Sequence, residues 1–167
     1  MVTIMTSGVF TIRFPVRRYE VDRFGFVHSY IYQQYLEEAA IQASAAAGFD
    51  WQWYQQQGTV WVIREITVEY LQAADLSDEL EIRTWVADMR RVRSHREYEI
   101  YRLRDHQLLV RASADWVYID RKSIWPTRIP TEAAASLPVL GRYAVPPARP
   151  VPALPLDAPL LEFTCRR

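Results

Sequence analysis

The sequence predicts an α+β fold, in which helices cover one side of a long antiparallel sheet. Two observations support this prediction. The segment 30–47 is apolar at twelve of its eighteen positions and confines its polar residues to a narrow side, as a buried helix does. After Gly58, several segments alternate apolar and polar residues with the period of two that is typical of strands.

The first half of the chain is predicted to form one strand and two helices. The strand is indicated by apolar residues at every second position, namely Phe10, Ile12, Phe14 and Val16. Ser29 is the expected N-cap of the long helix, most of whose circumference should be buried, and Gly48 is its expected C′ residue. A short helix is predicted from Asp50 to Gln57, and Gly58 should end it.

Four long antiparallel strands are predicted to follow. The apolar residues of the first are expected to share one face at Val60, Val62, Ile66, Val68 and Tyr70. Those of the second lie at Leu80, Ile82, Thr84 and Val86, and those of the last at Leu108, Val110, Ala112, Ala114, Trp116 and Tyr118. Residues 96–104 form a strand of mixed polarity between them, so that the helices and the sheet complete the α+β arrangement.

A proline-rich segment marks the end of the folded part. Seven of the ten prolines lie between Pro138 and Pro159, where no apolar periodicity is present. Such a segment favours extended backbone over helix or sheet. We therefore predict one domain over residues 1–137 and a C-terminal tail over 138–167. This tail is either disordered or a strap that crosses a partner subunit.

Composition excludes several classes of protein. Twenty acidic and twenty basic residues give a net charge of zero, so neither nucleic acid nor a membrane surface is expected as the main partner. No apolar run approaches the roughly 20 residues that span a bilayer, and the N-terminus does not resemble a secretory signal. One cysteine, Cys165, supports neither a disulfide nor a cysteine-based metal site. A cytoplasmic protein is expected.

Residues 17–39, with the sequence RRYEVDRFGFVHSYIYQQYLEEA, contain a motif that is typical of a known family. The segment resembles the pattern Y-x-x-D-x-x-G-x-V, a few polar residues, then Y-x-x-Y-x-E-E-A of the hotdog-fold thioesterases of the 4-hydroxybenzoyl-CoA thioesterase type. The matching residues are Tyr19, Asp22, Gly25, Val27, Tyr32, Tyr35, Glu37, Glu38 and Ala39. Segments 66–86 and 110–130 resemble later strands of the same family, so the likeness covers about 120 residues.

The resemblance implies a hotdog fold, a long antiparallel sheet wrapped around a central helix. It also implies an acyl-CoA thioesterase that needs no metal or cofactor and releases a carboxylic acid and free CoA. Asp22 would be the nucleophile or general base, and Glu38 is the second candidate for a catalytic carboxylate. Gly25 would permit close approach of a ligand, and N–H groups of the helix near Ser29 would polarise the thioester carbonyl.

Further residues are candidates for substrate binding. His28 and Tyr32 belong to the motif segment, and three residues of the strand that follows Gly58 are expected to line an acyl pocket, Trp61, Val62 and Ile63. The alternatives are that His28 is structural and that the strand residues are plain core. Glu37 and Glu38 otherwise belong to the polar side of the helix.

An arginine cluster is the candidate CoA-binding site. It lies at a predicted turn and comprises Arg90, Arg91, Arg93 and Ser94, followed by His95 and Arg96. Guanidinium groups form paired hydrogen bonds with phosphate, which suits the nucleotide of CoA. A solvated hairpin tip explains the same residues.

The sequence is also compatible with functions other than acyl-CoA hydrolysis. Hydrolysis of acyl groups from acyl carrier protein is the close rival, and a hotdog dehydratase is a weaker one. A non-catalytic acyl-binding protein is the third alternative, because a fold does not fix a function. The family forms its active sites between subunits, and an unpaired sheet edge needs cover. A homodimer or homotetramer is therefore expected.

Overall fold

The computed structural model describes residues 3–6 and 8–142, with side chains from Gly8 onward. The strands are β1 (Thr3–Thr6), β2 (Val9–Pro15), β3 (Thr59–Tyr70), β4 (Glu79–Arg90), β5 (Arg93–Arg102) and β6 (Gln107–Asp120). The helices are α1 (Ser29–Ala46), α2 (Trp51–Gln57) and α3 (Thr131–Ser136), and a 3-10 turn spans Arg18–Glu20. The sequence predicted neither β1 nor α3. From residue 143 on, the predicted tail lies outside the described residues.

The six strands form one antiparallel sheet in the order β1-β2-β4-β5-β6-β3. The sheet wraps around α1, whose buried residues join those of β2, β4, β5 and β6 in the main core. The α+β class and the hotdog arrangement are confirmed. Strand β3 forms one edge of the sheet over twelve residues, with β6 as its neighbour.

Helix α1 differs from the prediction in its start and in its burial. It begins at Ser29, so its N-cap is His28, one residue before the expected cap, and no side chain caps it. Only one side is buried, since Tyr30 and Ile41 are each about half exposed, at 54% and 52%. The reason is geometric, because the sheet covers the helix from one side only.

Helix α2 confirms the local prediction. Its N-cap is Asp50, whose Oδ1 accepts the Trp53 amide at 2.9 Å. Gly58 ends the helix in the left-handed conformation with φ of +65°, which favours glycine. This turn sends the chain directly into β3.

Strand β3 contains a bulge that the alternation pattern does not reveal. The pairing with β6 shifts between Ile63 and Glu65, so Arg64 is the extra residue. Trp61 and Ile63 pack against the core before the bulge, and Ile66 does so after it. The prediction of one face shared by Val60, Val62 and Ile66 is therefore wrong, because an extra residue exchanges the two faces.

The last described residues run beside β4. Val139 forms a parallel bridge with Val86, and the Leu140 amide donates to the Val86 carbonyl at 2.9 Å. The Trp85 indole donates to the Gly141 carbonyl at 3.0 Å. Backbone contacts with the sheet thus continue beyond residue 137.

None of the helices in the described ranges combines the length and the apolar character that crossing a membrane requires.

Candidate functional site

Asp22 lies in a tight turn between the 3-10 turn and α1. Its amide donates to the Phe26 carbonyl at 2.8 Å, and its Oδ1 accepts the amides of Phe24 at 2.8 Å and Phe26 at 3.1 Å. Gly25 has φ of +88°, in the left-handed region that glycine favours, and a Cβ there would meet nothing within 4 Å. The turn thus holds a solvent-accessible carboxylate at one end of α1.

The turn also keeps this carboxylate ionised. The pKa of Asp22 is lowered chiefly by the hydrogen bond from the Phe26 amide, with smaller contributions from the Phe24 amide and the nearby His28. An ionised carboxylate is the form that attacks a carbonyl or accepts a proton from water. The same hydrogen bonds also stabilise the turn, so this geometry is consistent both with a structural role and with a catalytic role of Asp22.

The first turn of α1 follows directly. The Ile31 amide donates to the His28 carbonyl at 3.0 Å, while the amides of Ser29 and Tyr30 have no acceptor among the residues described. The imidazole of His28 stacks on the Tyr30 ring with 5.3 Å between centroids. Tyr70 from β3 donates its hydroxyl to the Ser29 carbonyl at 3.1 Å. Free N–H groups and a carboxylate therefore occupy the same end of the helix.

Tyr32 has a structural role in the described chain. It is 3% exposed, and its hydroxyl accepts the buried Ala74 amide at 2.8 Å. Burial raises the pKa of this phenol. Its hydroxyl thus satisfies a backbone group, and its use in substrate binding stays a prediction.

The second carboxylate candidate lies far from the first. Glu38 follows Ser29 by nine residues, which is about 14 Å along a helix that rises about 1.5 Å per residue. Its Oε1 accepts the Gln42 amide at 2.7 Å on the same helix. Within one chain, Asp22 and Glu38 therefore do not lie close enough to act on the same thioester bond of a substrate. The catalytic role of Glu38 stays a prediction.

A cavity of about 220 Å³ lies beside the second half of α1. Its walls come from α1, α2, β3, β5 and β6, with Leu137 at one side. Aromatic side chains line much of it, and the Tyr54 hydroxyl binds Ser44 Oγ at 2.7 Å and the Trp61 indole at 3.1 Å. Of the three predicted pocket residues, Trp61 lines this cavity, Val62 is 39% exposed on the other face, and Ile63 packs in the core.

Two polar residues of β5 also face the cavity. Ser94 and Arg96 lie two positions apart on one face of the strand, in line with the core residue Tyr98. They are 4% and 7% exposed. Glu37, rather than its neighbour Glu38, lies at the cavity from the α1 side.

The predicted CoA-binding cluster is divided by the fold. Arg90 and Arg93 pair across the β4–β5 hairpin, Arg91 is in the turn between them, and all three are exposed. Ser94 points to the buried cavity instead. The prediction that the whole cluster occupies a turn is wrong, because β5 already begins at Arg93.

Sequence reasoning missed the buried position of Arg96. The signal was present, since Ser94, Arg96, Tyr98 and Ile100 occupy alternate positions of one strand and the last two are apolar. Within the described ranges, no group of three or more His, Cys, Asp and Glu side chains is placed to hold a metal ion.

Comparison with known proteins gives the family. Residues 7–137 match the model of the acyl-ACP thioesterase N-terminal domain. The chain is 26% identical over 125 residues to the chloroplastic acyl-acyl carrier protein thioesterase ATL2 of Arabidopsis thaliana, covering 75% of this chain and 66% of the relative. It is also 26% identical to a chloroplastic palmitoyl-acyl carrier protein thioesterase of Cuphea hookeriana, covering 78% of this chain and 33% of the relative.

Solved structures agree with the fold. A 1,4-dihydroxy-2-naphthoyl-CoA thioesterase from Synechocystis superposes with a TM-score of 0.71 at 20% identity, over 77% of this chain and 95% of its own. A Staphylococcus aureus protein solved in complex with CoA superposes with a TM-score of 0.75 at 13% identity, over 89% and 99%. The match to this chain spans about two thirds of the length of the Arabidopsis relative and about one third of the Cuphea relative. The family model covers most of the chain, which therefore belongs to the acyl-ACP thioesterase N-terminal domain family.

Proposed function

We propose that this protein hydrolyses acyl thioesters to a carboxylic acid and a free thiol. The observation that carries the proposal is the ionised Asp22 carboxylate in the turn before α1, followed at the start of that helix by the amides of Ser29 and Tyr30, which have no acceptor among the described residues. Membership of a thioesterase family supports the same reaction.

Thioester hydrolysis needs a nucleophile or base and a donor to the carbonyl oxygen, and the proposal assigns these functions to Asp22 and to the helix amides. Asp22 attacks the carbonyl carbon or takes a proton from the attacking water, and the helix amides donate to the oxygen as negative charge develops. When the tetrahedral intermediate collapses, the carbon–sulfur bond breaks and the electron pair leaves on sulfur. If Asp22 is the nucleophile, this leaves an acyl-aspartyl anhydride, which water then hydrolyses to the carboxylic acid and free Asp22; if Asp22 is the base, the carboxylic acid forms directly. A thiolate is a good leaving group, so strong protonation of sulfur is not required.

Two carriers fit the proposal, and each has its own support. Acyl carrier protein is favoured by the matching family and by the relatives named above, which are acyl-acyl carrier protein thioesterases. CoA is favoured by the exposed Arg90, Arg91 and Arg93 at the β4–β5 hairpin, where phosphates can bind. The 4-hydroxybenzoyl-CoA type stays a prediction from the motif around Asp22.

We further propose that the active unit is a homodimer at least. Within one chain, Asp22 and the cavity lie at different places along α1. Asp22 precedes the first helical residue, Ser29, whereas the cavity residue Glu37 lies about 12 Å further along the helix, at about 1.5 Å per residue. The edge strand β3 also has pairing capacity on its outer side. If two chains pair antiparallel at this edge, the Tyr70 end of one β3, which bonds the Ser29 carbonyl at the start of α1, would lie beside the Trp61 end of the other, which lines the cavity.

The test is the release of free thiol from matched acyl-CoA and acyl-acyl carrier protein substrates by the purified chain. Turnover of either supports hydrolysis, and the ratio of kcat/KM values identifies the carrier. Binding of acyl thioesters without thiol release would instead establish the non-catalytic acyl-binding alternative. Absence of both binding and release would exclude the proposal.

A further inference from the structure

The cavity contains a positive charge that the described protein does not neutralise. Arg96 Nη1 donates to Thr84 Oγ1 at 3.0 Å, and this is the one hydrogen bond of its guanidinium within the described residues. None of the described carboxylates forms an ion pair with it. Burial lowers the pKa of Arg96, and the groups that oppose this effect are the phenols of Tyr98 and Tyr54.

Ser94 adds a second unsatisfied group to the same wall. Its Oγ is buried and has no hydrogen-bond partner among the described residues. Buried polar atoms are normally paired, and an unpaired one costs free energy. Because Ser94 and Arg96 point to one cavity from successive inward positions of β5, a single oxygen-bearing group can satisfy both.

The acidic residues at this cavity lie nearer to solvent. Glu37 is exposed on α1, and Asp50 is exposed at the start of α2, where its carboxylate accepts the Trp53 amide. The charged residues that line the cavity are therefore acidic near the solvent and basic in the buried part. A buried arginine without a counterion favours an anion, since leaving a buried charge uncompensated is costly.

We infer that the cavity binds an acyl group bearing a carboxylate remote from its thioester, held by Arg96 and Ser94. The rest of the wall is largely aromatic, with Trp61 and Trp116, and suits the hydrocarbon part of such a group. A cavity of about 150 Å³ binds benzene with its six carbons, so a volume of about 220 Å³ suits an acyl group of about nine non-hydrogen atoms. The fit is to a short acyl group rather than a long fatty chain.

The hydrolysis arm of the test rests on the proposed thioesterase function. Pantetheine thioesters of about six to eight carbons are compared as pairs, one ending in methyl and one in carboxylate. We expect wild type to prefer the carboxylate member in kcat/KM. Arg96→Met should reduce this preference by about 10- to 100-fold, and Ser94→Ala should reduce it less.

Arg111→Met is the matched control. Arg111 belongs to β6 but lies between the core residues Val110 and Ala112, so its side chain faces away from the cavity. Its substitution should leave the preference unchanged.

Without ligand, Arg96→Met should melt at the wild-type temperature or above it, because an apolar side chain of similar length replaces an unpaired buried charge. A clear fall in melting temperature would show that Arg96 also supports the fold through its bond to Thr84, and ligand binding by wild type and Ser94→Ala would then decide the subsite.

A binding arm separates failure of the subsite from failure of the proposed function. Monoamides of dicarboxylic acids, which keep one carboxylate, and uncharged amides of monocarboxylic acids of equal length are titrated calorimetrically into wild type and both variants. Tighter binding of the carboxylate-bearing amide that is lost in Arg96→Met supports the subsite even if no thioester is hydrolysed. Equal binding, or equal turnover of the two thioester classes by wild type, would overturn the subsite and leave the proposed hydrolysis standing. If Arg96→Met fails to fold, wild type and Ser94→Ala decide the outcome.

Discussion

Asp22 holds its turn through one carboxylate oxygen, since Oδ1 accepts the amides of both Phe24 and Phe26. An asparagine can accept the same bonds through its side-chain carbonyl but is neither a nucleophile nor a base. We therefore expect Asp22→Asn to fold normally and to lose at least about 100-fold in kcat, the lower scale for general-base catalysis. Thiol release and a melting curve are the measurements.

Asp120 provides the matched control for this substitution. It is also a partly exposed turn aspartate with a lowered pKa, and its Oδ1 accepts the amides of Lys122 and Ser123. Asp120→Asn should leave turnover unchanged, since this turn follows β6 and is not part of the α1 turn. Near-normal turnover by folded Asp22→Asn would refute the catalytic assignment.

Glu81 carries a prediction about pH. It is 6% exposed on β4 and accepts hydrogen bonds from Arg13 at 2.8 Å and Arg83 at 2.6 Å. Burial opposes ionisation, but the bonds from Arg83 and Arg13 outweigh it, so the pKa of Glu81 is lowered. Glu81→Gln should reduce the free energy of unfolding by about 1–2 kcal/mol at neutral pH, because solvent screens the partly exposed arginines.

The sign of the pH effect follows from the direction of this shift. A carboxyl with a lowered folded pKa contributes stability above its unfolded pKa of about 4.3 and loses it as pH falls through the folded pKa. The difference between wild type and Glu81→Gln should thus shrink in acid. Urea denaturation at several pH values measures it, and a difference that is constant from neutral to strongly acidic pH would contradict this account.

At the scale of elements, the β4–β5 hairpin separates two kinds of arginine. Arg91 and Arg93 are exposed at its tip, whereas Arg96 is buried three residues further along β5. If the tip binds the nucleotide phosphates of CoA, the double variant Arg91→Ala and Arg93→Ala should raise KM for acyl-CoA by about 10- to 100-fold per lost contact. The value of kcat should change much less, because these contacts are equal in the ground and transition states.

An acyl-pantetheine substrate is the control for the hairpin, since it lacks the nucleotide. Its kinetics should be nearly unaffected by the double variant, and added salt should weaken acyl-CoA binding more in wild type than in the variant. If acyl-pantetheine loses as much as acyl-CoA does, the hairpin arginines support the fold and phosphate binding lies elsewhere.

At the scale of the whole molecule, one chain leaves much apolar surface uncovered. Tyr30, Ile41, Trp51 and Tyr70 are all 46% exposed or more, and β3 forms a long sheet edge. Exposed apolar groups beside an open edge favour association with a second chain. We expect a homodimer or larger assembly by light scattering at micromolar concentration, and an active monomer would contradict the shared active site.

The sequence by itself determined the elements whose signals are local. Asp50 and Gly58 bound α2 because a cap and a left-handed glycine act within one turn of helix. Alternation identified the long strands, and the motif at Asp22 identified the turn before α1. These predictions succeeded because the interactions that decide them span only a few residues.

Only the tertiary structure decided which side each element presents. The bulge at Arg64 exchanges the faces of β3, and nothing in the local pattern requires it. The exposed side of α1 depends on where the sheet ends, and Tyr30 is apolar whether or not another element covers it. Alternation alone places Ser94 and Arg96 on the same face of β5 as Tyr98 and Ile100, but only the assembled fold decides that a cavity lies over this part of the face. Burial is a property of what packs against a residue, so the charge that defines this cavity became visible only after the strands were assembled.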